Sequence, residues 1–155
     1  MFEVNLVINP NQDLPIFNFT ECPTGSNYRE IEGGCYYFQS TQQSTFESAQ
    51  SDCSTKFPNG GRLFEAQSLE IHEKVLIASR EILTNVWFYI GIKNGETVGS
   101  DFKFVSSGIT VPYISDIVGL ENDNSDQCVY VKNSATLYWD DAPCNLSWYS
   151  ICEHE

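Results

Sequence analysis

The six cysteines of this 155-residue chain constrain its fold more strongly than any other sequence feature. They are Cys22, Cys35, Cys53, Cys128, Cys144 and Cys152. None of them forms a Cys-x-x-Cys pair or a Cys/His spacing suited to zinc. An even number of cysteines without such a pattern favours three disulfide bonds in an oxidising compartment. Counting alone leaves about fifteen pairings open.

The chain carries a net charge of -13 and has a sequence pI near 4.3. Nucleic-acid binding is disfavoured, because contacts with phosphates need Lys and Arg side chains. The same charge disfavours an anionic membrane surface, and no apolar run approaches the length that spans a bilayer. The acidity fits either the solubility of a secreted protein or the clustering of some acids around cations.

Two glycosylation sequons, which begin at Asn18 and Asn145, add to the indication of secretion. Residues 1–16 lack the basic start of a signal peptide, and the simplest interpretation is a mature or recombinant chain whose leader is gone. Residues 1–20 are predicted to form an N-terminal extension, and residues 21–155 a single domain. We therefore expect a secreted glycoprotein that carries glycans at these two asparagines.

Two helices are predicted from capping residues and apolar spacing. Ser44 and Glu47 can form a capping box at the start of the first helix. Its buried stripe is predicted to contain Phe46, Ala49, Cys53 and Phe57. Ser68 is a good N-cap for the second helix. That helix is predicted to bury Leu69, Val75, Leu76, Ile82 and Leu83.

Strands are predicted before, between and after these helices. Residues 35–38 indicate an aromatic strand, residues 86–92 a central strand covered on both faces, and residues 102–105 an alternating strand. Residues 106–120 contain two glycines and a proline and are predicted to form a long surface loop. Two helices between groups of strands predict a compact α+β domain.

Acidic residues flank a short apolar segment, residues 129–131, which reads as a strand. On one side lie Glu121, Asp123 and Asp126, and on the other side lie Asp140 and Asp141. A strand between them would return both groups to the same end of the molecule. Several carboxylates share one point only with a cation, because their mutual repulsion otherwise raises their pKa values or separates them. Coordination by many oxygens is typical of Ca²⁺, so the sequence predicts a calcium site.

The order of these motifs resembles a C-type lectin domain of the long form, which has an extra N-terminal disulfide. The resemblance covers residues 22–153 and rests on the cysteine frame, the Tyr-Ile-Gly-Ile segment at residues 89–92 and the Trp-Asp-Asp segment at residues 139–141. It implies a double-loop fold with two helices that flank antiparallel sheets. It also implies three disulfides: Cys22–Cys35, Cys53–Cys152 and Cys128–Cys144.

The resemblance also implies a function, the calcium-dependent binding of carbohydrate. In such lectins one Ca²⁺ is held by acidic and amide side chains, and two vicinal sugar hydroxyls complete its shell. The matching calcium ligands here are Glu121, Asp123, Asp126, Asp140 and Asp141. Glu70 and Glu153 match positions that hold an auxiliary calcium in some relatives.

The chain departs from the family in the chemistry of these positions, because all five are acids where relatives mix acids and amides. Ionised carboxylates only accept hydrogen bonds, so sugar hydroxyls need donors from elsewhere, and Asn122 or Asn124 is the expected source. These two asparagines are predicted to bind sugar together with Glu121, Asp123, Asp126 and Asp140. The alternative is a lectin-like domain that binds a protein or ice instead of sugar.

Catalysis is not expected. The two histidines, His72 and His154, do not lie beside a nucleophile in the sequence, and no nucleophile elbow or phosphate-binding glycine loop is present.

The tryptophans Trp87, Trp139 and Trp148 are predicted to be core residues, and Tyr113 an ordinary surface tyrosine. Because single lectin sites bind weakly, multivalency is expected, and a homo-oligomer would form through the domain or the N-terminal extension.

Overall fold

The structure of the chain is a computed structural model that describes residues 21–43, 45–94, 101–117, 128–134 and 138–154. The predicted N-terminal extension, which includes Asn18, lies outside these residues. No helix within the described ranges is both long enough and apolar enough to cross a membrane.

The described chain is an α+β domain, as predicted. Its strands are β1 (Tyr28–Ile31), β2 (Gly34–Phe38), β3 (Gly61–Leu63), β4 (Trp87–Lys93), β5 (Lys103–Phe104), β6 (Cys128–Lys132), β7 (Tyr138–Ala142) and β8 (Tyr149–His154). Its helices are α1 (Phe46–Cys53) and α2 (Leu69–Ser79), with a short 3-10 turn at Ile114–Asp116.

The strands follow the order β1-β2-β8-β4-β6-β7, and β3 and β5 pair with β8 and β4. Strand β8 lies in the middle, antiparallel to β2 and β3 and parallel to β4. Strands β6 and β7 form an antiparallel hairpin at one edge of this order. The hairpin carries the two acids of the Trp-Asp-Asp segment.

Helix α1 begins one residue later than predicted. Its N-cap is Thr45, whose hydroxyl accepts a hydrogen bond from the Ser48 N–H at 3.1 Å. The Ser48 hydroxyl in turn accepts from the Thr45 N–H at 2.9 Å. Ser44 lies outside the described residues. The capping box of α1 is formed by Thr45 and Ser48 in place of the predicted Ser44 and Glu47, with the Ser48 hydroxyl in the role predicted for a carboxylate. All four residues of the predicted stripe are buried, but α1 ends at Cys53, so Phe57 lies beyond the helix, contrary to the prediction.

Helix α2 begins at the predicted cap, where the Ser68 hydroxyl accepts from the Ile71 N–H at 3.3 Å. It ends at Ser79, so Ile82 and Leu83 lie beyond the helix, contrary to the prediction, although both pack against the core. The Asn133 side chain explains this end. Its amide donates to the Ser79 hydroxyl at 2.9 Å and to the Leu83 carbonyl at 2.6 Å, which stabilises a turn in place of further helix.

The segment after β5 is less exposed than predicted. Val111 and Tyr113 are buried, at 1% and 6% exposure. The Tyr113 hydroxyl donates to the Ala66 carbonyl at 2.8 Å, and burial raises its pKa. The prediction of a surface tyrosine was therefore wrong, because the apolar positions of this segment complete the core beneath it.

Three disulfides join Cys22 to Cys35, Cys53 to Cys152 and Cys128 to Cys144. These are the pairings that the family resemblance implies, and they are confirmed. The second joins α1 to β8, and the third joins the start of β6 to the turn after β7. Both ends of the hairpin that bears the acids are thus covalently linked.

Two apolar clusters cover the two faces of β4, as predicted for a central strand. The inner cluster includes Phe88, Ile90, Val131 and Trp139 and packs against α2. The outer cluster includes Phe46, Tyr89, Tyr130 and Cys128 and packs against α1, with Trp87 and Trp148 half-buried beside it. The core prediction is therefore confirmed fully for Trp139, which is 0% exposed, and only in part for the other two tryptophans.

Candidate functional site

The hairpin of β6 and β7 sets the positions of Asp140 and Asp141, the two predicted calcium ligands that the structure describes. In its register Asp140 is paired with Tyr130, and Asp141 with Val129. Neighbouring residues of a strand point to opposite faces of the sheet. Asp140 therefore lies on the face of the outer cluster, and Asp141 on the face of the inner cluster.

A tyrosine holds the first of these acids. The Tyr130 hydroxyl donates to Asp140 Oδ2 at 2.6 Å. Tyr130 is only 8% exposed, and burial, followed by the hydrogen bond to Asp140, raises its pKa. The phenol therefore stays protonated and remains a donor to the carboxylate.

An amide holds the second acid. Asn94 Nδ2 donates to Asp141 Oδ2 at 2.9 Å, and the two residues are 7% and 1% exposed. Asn94 directly follows β4, so the end of this central strand supplies the donor. Hydrogen bonds to charged groups contribute about 1.5–3 kcal/mol. A neutral amide orients the carboxylate without cancelling its negative charge.

A buried pair of rings supports β7 directly before these acids. Trp139 Nε1 donates to His72 Nε2 at 2.8 Å, and both side chains are 0% exposed. The His72 ring also stacks on Phe64, with centroids 5.7 Å apart. Burial lowers the pKa of His72 to about 3, so the imidazole is neutral and its Nε2 accepts a hydrogen bond from the indole N–H. Helix α2 is thereby joined to β7 at the residue that precedes Asp140.

The other predicted ligands of calcium and sugar lie outside the described residues. They are Glu121, Asn122, Asp123, Asn124 and Asp126. In the sequence they precede Cys128 by two to seven residues. Cys128 is paired with Ala142, the neighbour of Asp141. The part of the chain that the structure describes contains no group of three His, Cys, Asp or Glu side chains suited to a metal, so the five-acid site stays a prediction.

The two residues predicted for an auxiliary calcium have different basic partners. Glu70 forms an ion pair with Lys74 at 2.8 Å, and the hydrogen bond from Lys74 lowers its pKa. Glu153 forms an ion pair with Arg62 at 2.8 Å, while burial raises its pKa. The auxiliary site also stays a prediction.

Glu65 is a buried acid that the sequence analysis missed. It is 3% exposed, and its carboxylate accepts from the Ser106 N–H at 2.8 Å. It lines a groove of about 320 Å³ together with Arg62 and Glu153. The absence of a side chain at Gly91 makes room for it, because a Cβ there would lie 2.5 Å from Glu65 Cγ. Glu65 thus fastens the turn after β5 to the sheet.

The sequon at Asn145 lies in the turn between β7 and β8. Asn145 and Ser147 are both exposed, so the acceptor amide and the hydroxyl that its modification needs are accessible. The other predicted glycosylation site, Asn18, lies outside the described residues.

Solved structures with the same fold include proteins of different named functions. The carbohydrate-recognition domain of mouse scavenger receptor C-type lectin is 19% identical with a TM-score of 0.64, and the match covers 86% of this chain and 98% of that one. A Ca²⁺-dependent type II antifreeze protein in its Ca²⁺-free form is 20% identical with a TM-score of 0.63, covering 86% and 100%. A calcium-independent type II antifreeze protein is 23% identical with a TM-score of 0.62, covering 85% and 94%. These similarities establish the fold.

The family comparison covers most of the chain. No curated protein matches the sequence, but the family described as the Lectin C-type domain matches residues 42–154. That range contains both helices, the β6–β7 hairpin and two of the three disulfides. The chain belongs to the C-type lectin domain family.

Proposed function

We propose that this chain is a secreted lectin that binds carbohydrate through a calcium ion held in its loops. The observation that carries the proposal is that Asp140 and Asp141, neighbours on the two faces of the edge strand β7, are each oriented by their own donor. In the sequence, three further acids lead directly to the strand that pairs with β7. Family membership supports a binding role in place of a catalytic one.

The chemistry of the donor set fits Ca²⁺. All five proposed ligands, Glu121, Asp123, Asp126, Asp140 and Asp141, are carboxylates, and Ca²⁺ prefers oxygen ligands in flexible geometries. Tyr130 and Asn94 would orient two of them, as partners of metal ligands commonly do. A bound Ca²⁺ would supply coordination for two vicinal sugar hydroxyls. Asn122 and Asn124 would supply the hydrogen-bond donors that the acids lack.

Substitution of Asp141 tests the metal site. Calcium at a hundred times its dissociation constant should stabilise the wild-type protein by about 2.7 kcal/mol, and Asp141→Ala should abolish this gain. Asp141→Asn should reduce this gain, because the variant keeps an oxygen for the Asn94 amide and for the cation but loses one of the five negative charges. Thermal denaturation with and without calcium measures both.

Glu73→Ala is the control for these variants. Glu73 is an exposed acid on α2, so its removal changes the net charge equally without affecting β7. The ligand assignment would be refuted by a calcium-dependent gain in stability that survives in both Asp141 variants.

A glycan array probed with and without chelator tests the binding of sugar. We expect binding that needs calcium and is competed by a monosaccharide. The alternative is a protein or ice ligand, and the similarity to antifreeze proteins supports the ice ligand alone. An array that stays silent while calcium still stabilises the protein would support this alternative.

The cell-biological proposal follows from the disulfides and the sequons. We expect secretion, glycans at Asn18 and Asn145, and no insertion into a membrane. A homo-oligomer would form through the domain surface or the N-terminal extension. Mass spectrometry before and after enzymatic removal of N-glycans tests the two sites, and an unchanged mass for protein from a secreting eukaryotic cell would exclude them.

A further inference from the structure

We propose that Tyr130 is a positioning residue that sets how Asp140 presents its carboxylate to the bound cation. This inference rests on the proposed calcium-binding function and adds a residue outside the predicted ligand set. The observation behind it is the hydrogen bond of 2.6 Å from the Tyr130 hydroxyl to Asp140 Oδ2. The two residues are direct partners in the β6–β7 register, so the contact is built into the hairpin.

The Tyr130 ring is held on two sides. It stacks on Trp148 with centroids 5.5 Å apart and planes at 22°. It also meets Trp87 edge-on, with centroids 4.6 Å apart. Two side-chain torsion angles set the orientation of the Tyr130 ring, and these contacts with its neighbours restrict both. The direction of the hydroxyl is therefore set by packing before any ligand binds.

A fixed hydroxyl in turn fixes the carboxylate. Tyrosine offers one O–H donor, and an ionised carboxylate has two oxygens that accept. With Oδ2 directed to the phenol, Oδ1 is the oxygen that Asp140 would direct to a cation. Such preorganisation lowers the entropy lost on binding. Loss of a partner that orients a metal ligand typically weakens metal affinity 10–100-fold.

Tyr89 provides a matched control within the same sheet. It is the cross-strand partner of Tyr130 on β4, and it is buried in the same outer cluster. Its hydroxyl also forms a hydrogen bond, at 2.7 Å, but to the backbone carbonyl of Leu146. Tyr89→Phe therefore removes the same atom from a neighbouring position without affecting an acid.

The test is calorimetric titration of calcium alone into the wild-type protein and its variants. We expect Tyr130→Phe to raise the dissociation constant of calcium about 10–100-fold and Tyr89→Phe to leave it unchanged. In an Asp140→Ala background, Tyr130→Phe should have no further effect, because the two residues act as one unit. Thermal denaturation in chelator checks that each variant is folded.

The possible outcomes separate the two proposals. If the wild-type protein binds calcium and Tyr130→Phe binds it equally well, Tyr130 has no positioning role and the proposed function stands. The positioning role is also overturned if Tyr130→Phe weakens binding as much without Asp140 as with it, since the effect would then come from the fold. A wild-type protein that binds no calcium overturns the proposed function, and with it the role of Tyr130.

Discussion

Replacing Trp139 with alanine will lower the free energy of unfolding by about 4 kcal/mol, within the range of 3–5 kcal/mol found for buried tryptophans. Trp139 is 0% exposed and lies against the rings of His72, Phe102 and Tyr113. The substitution leaves a large cavity. It also removes the donor to His72 Nε2, a buried acceptor that then lacks this partner. Urea denaturation of the wild-type protein and the variant in chelator measures the loss.

Trp139→Phe leaves a smaller cavity than alanine but removes the same hydrogen bond. Phenylalanine keeps one six-membered ring and loses the indole N–H together with the second ring, so we expect a loss of about 1–3 kcal/mol, smaller than that for alanine. With calcium present, alanine should also weaken cation binding, because Trp139 adjoins Asp140 on β7. A loss below 1 kcal/mol for Trp139→Ala would contradict the packing described for the inner cluster.

Acidification from pH 7 to pH 4 will lower the free energy of unfolding by about 3 kcal/mol through His72 alone. Burial lowers the pKa of His72 to about 3 in the folded protein, against an ordinary value near 6.5. Between these two values the unfolded state binds the proton that the folded state excludes. The contribution of His72 to stability is therefore complete above about pH 6.5, and it falls as the pH drops towards 3.

His72→Gln isolates this effect from the other titrating groups. Glutamine offers an oxygen to the Trp139 donor and has no proton to gain in this range. Burial raises the pKa of Glu153, so protonation of this carboxyl on acidification favours the folded state and opposes the effect of His72. Glu153 is present in both proteins, so its contribution cancels in the comparison. Urea denaturation at pH 7 and pH 4 in chelator should show the wild-type protein losing about 3 kcal/mol more than the variant. Equal losses would show that His72 titrates normally.

Much of the fold was predictable because its signals are local. The apolar run at residues 86–92 identified the central strand, and the Ser68 hydroxyl identified the start of α2. The end of α2 was not predictable, because it depends on Asn133, which is 54 residues from Ser79 in the sequence. The burial of Tyr113 was missed for a similar reason. Glycine and proline indicate a loop, but they do not show whether its apolar side chains reach a core.

The candidate site was predictable in its acids and not in their partners. The Trp-Asp-Asp segment and the cysteine frame drew attention to Asp140 and Asp141. Tyr130 and Asn94 give no such signal, since one reads as a strand aromatic and the other as a residue at a strand end. The role of Tyr130 arises from the β6–β7 register, and that of Asn94 from its position directly after β4. A hairpin alignment anchored on Cys128 and Cys144 would have brought Tyr130 close to Asp140, and this was the available clue.

The central position of β8 bears on how the nascent chain matures. This strand, Tyr149–His154, joins β2, β3 and β4, yet it is synthesised after all three. Cys152 on the same strand is the partner of Cys53, 99 residues earlier. Until the ribosome has released this segment, Cys53 remains a thiol exposed to incorrect oxidation. Cells that produce this protein should therefore depend on a disulfide isomerase that acts after Cys152 has been synthesised.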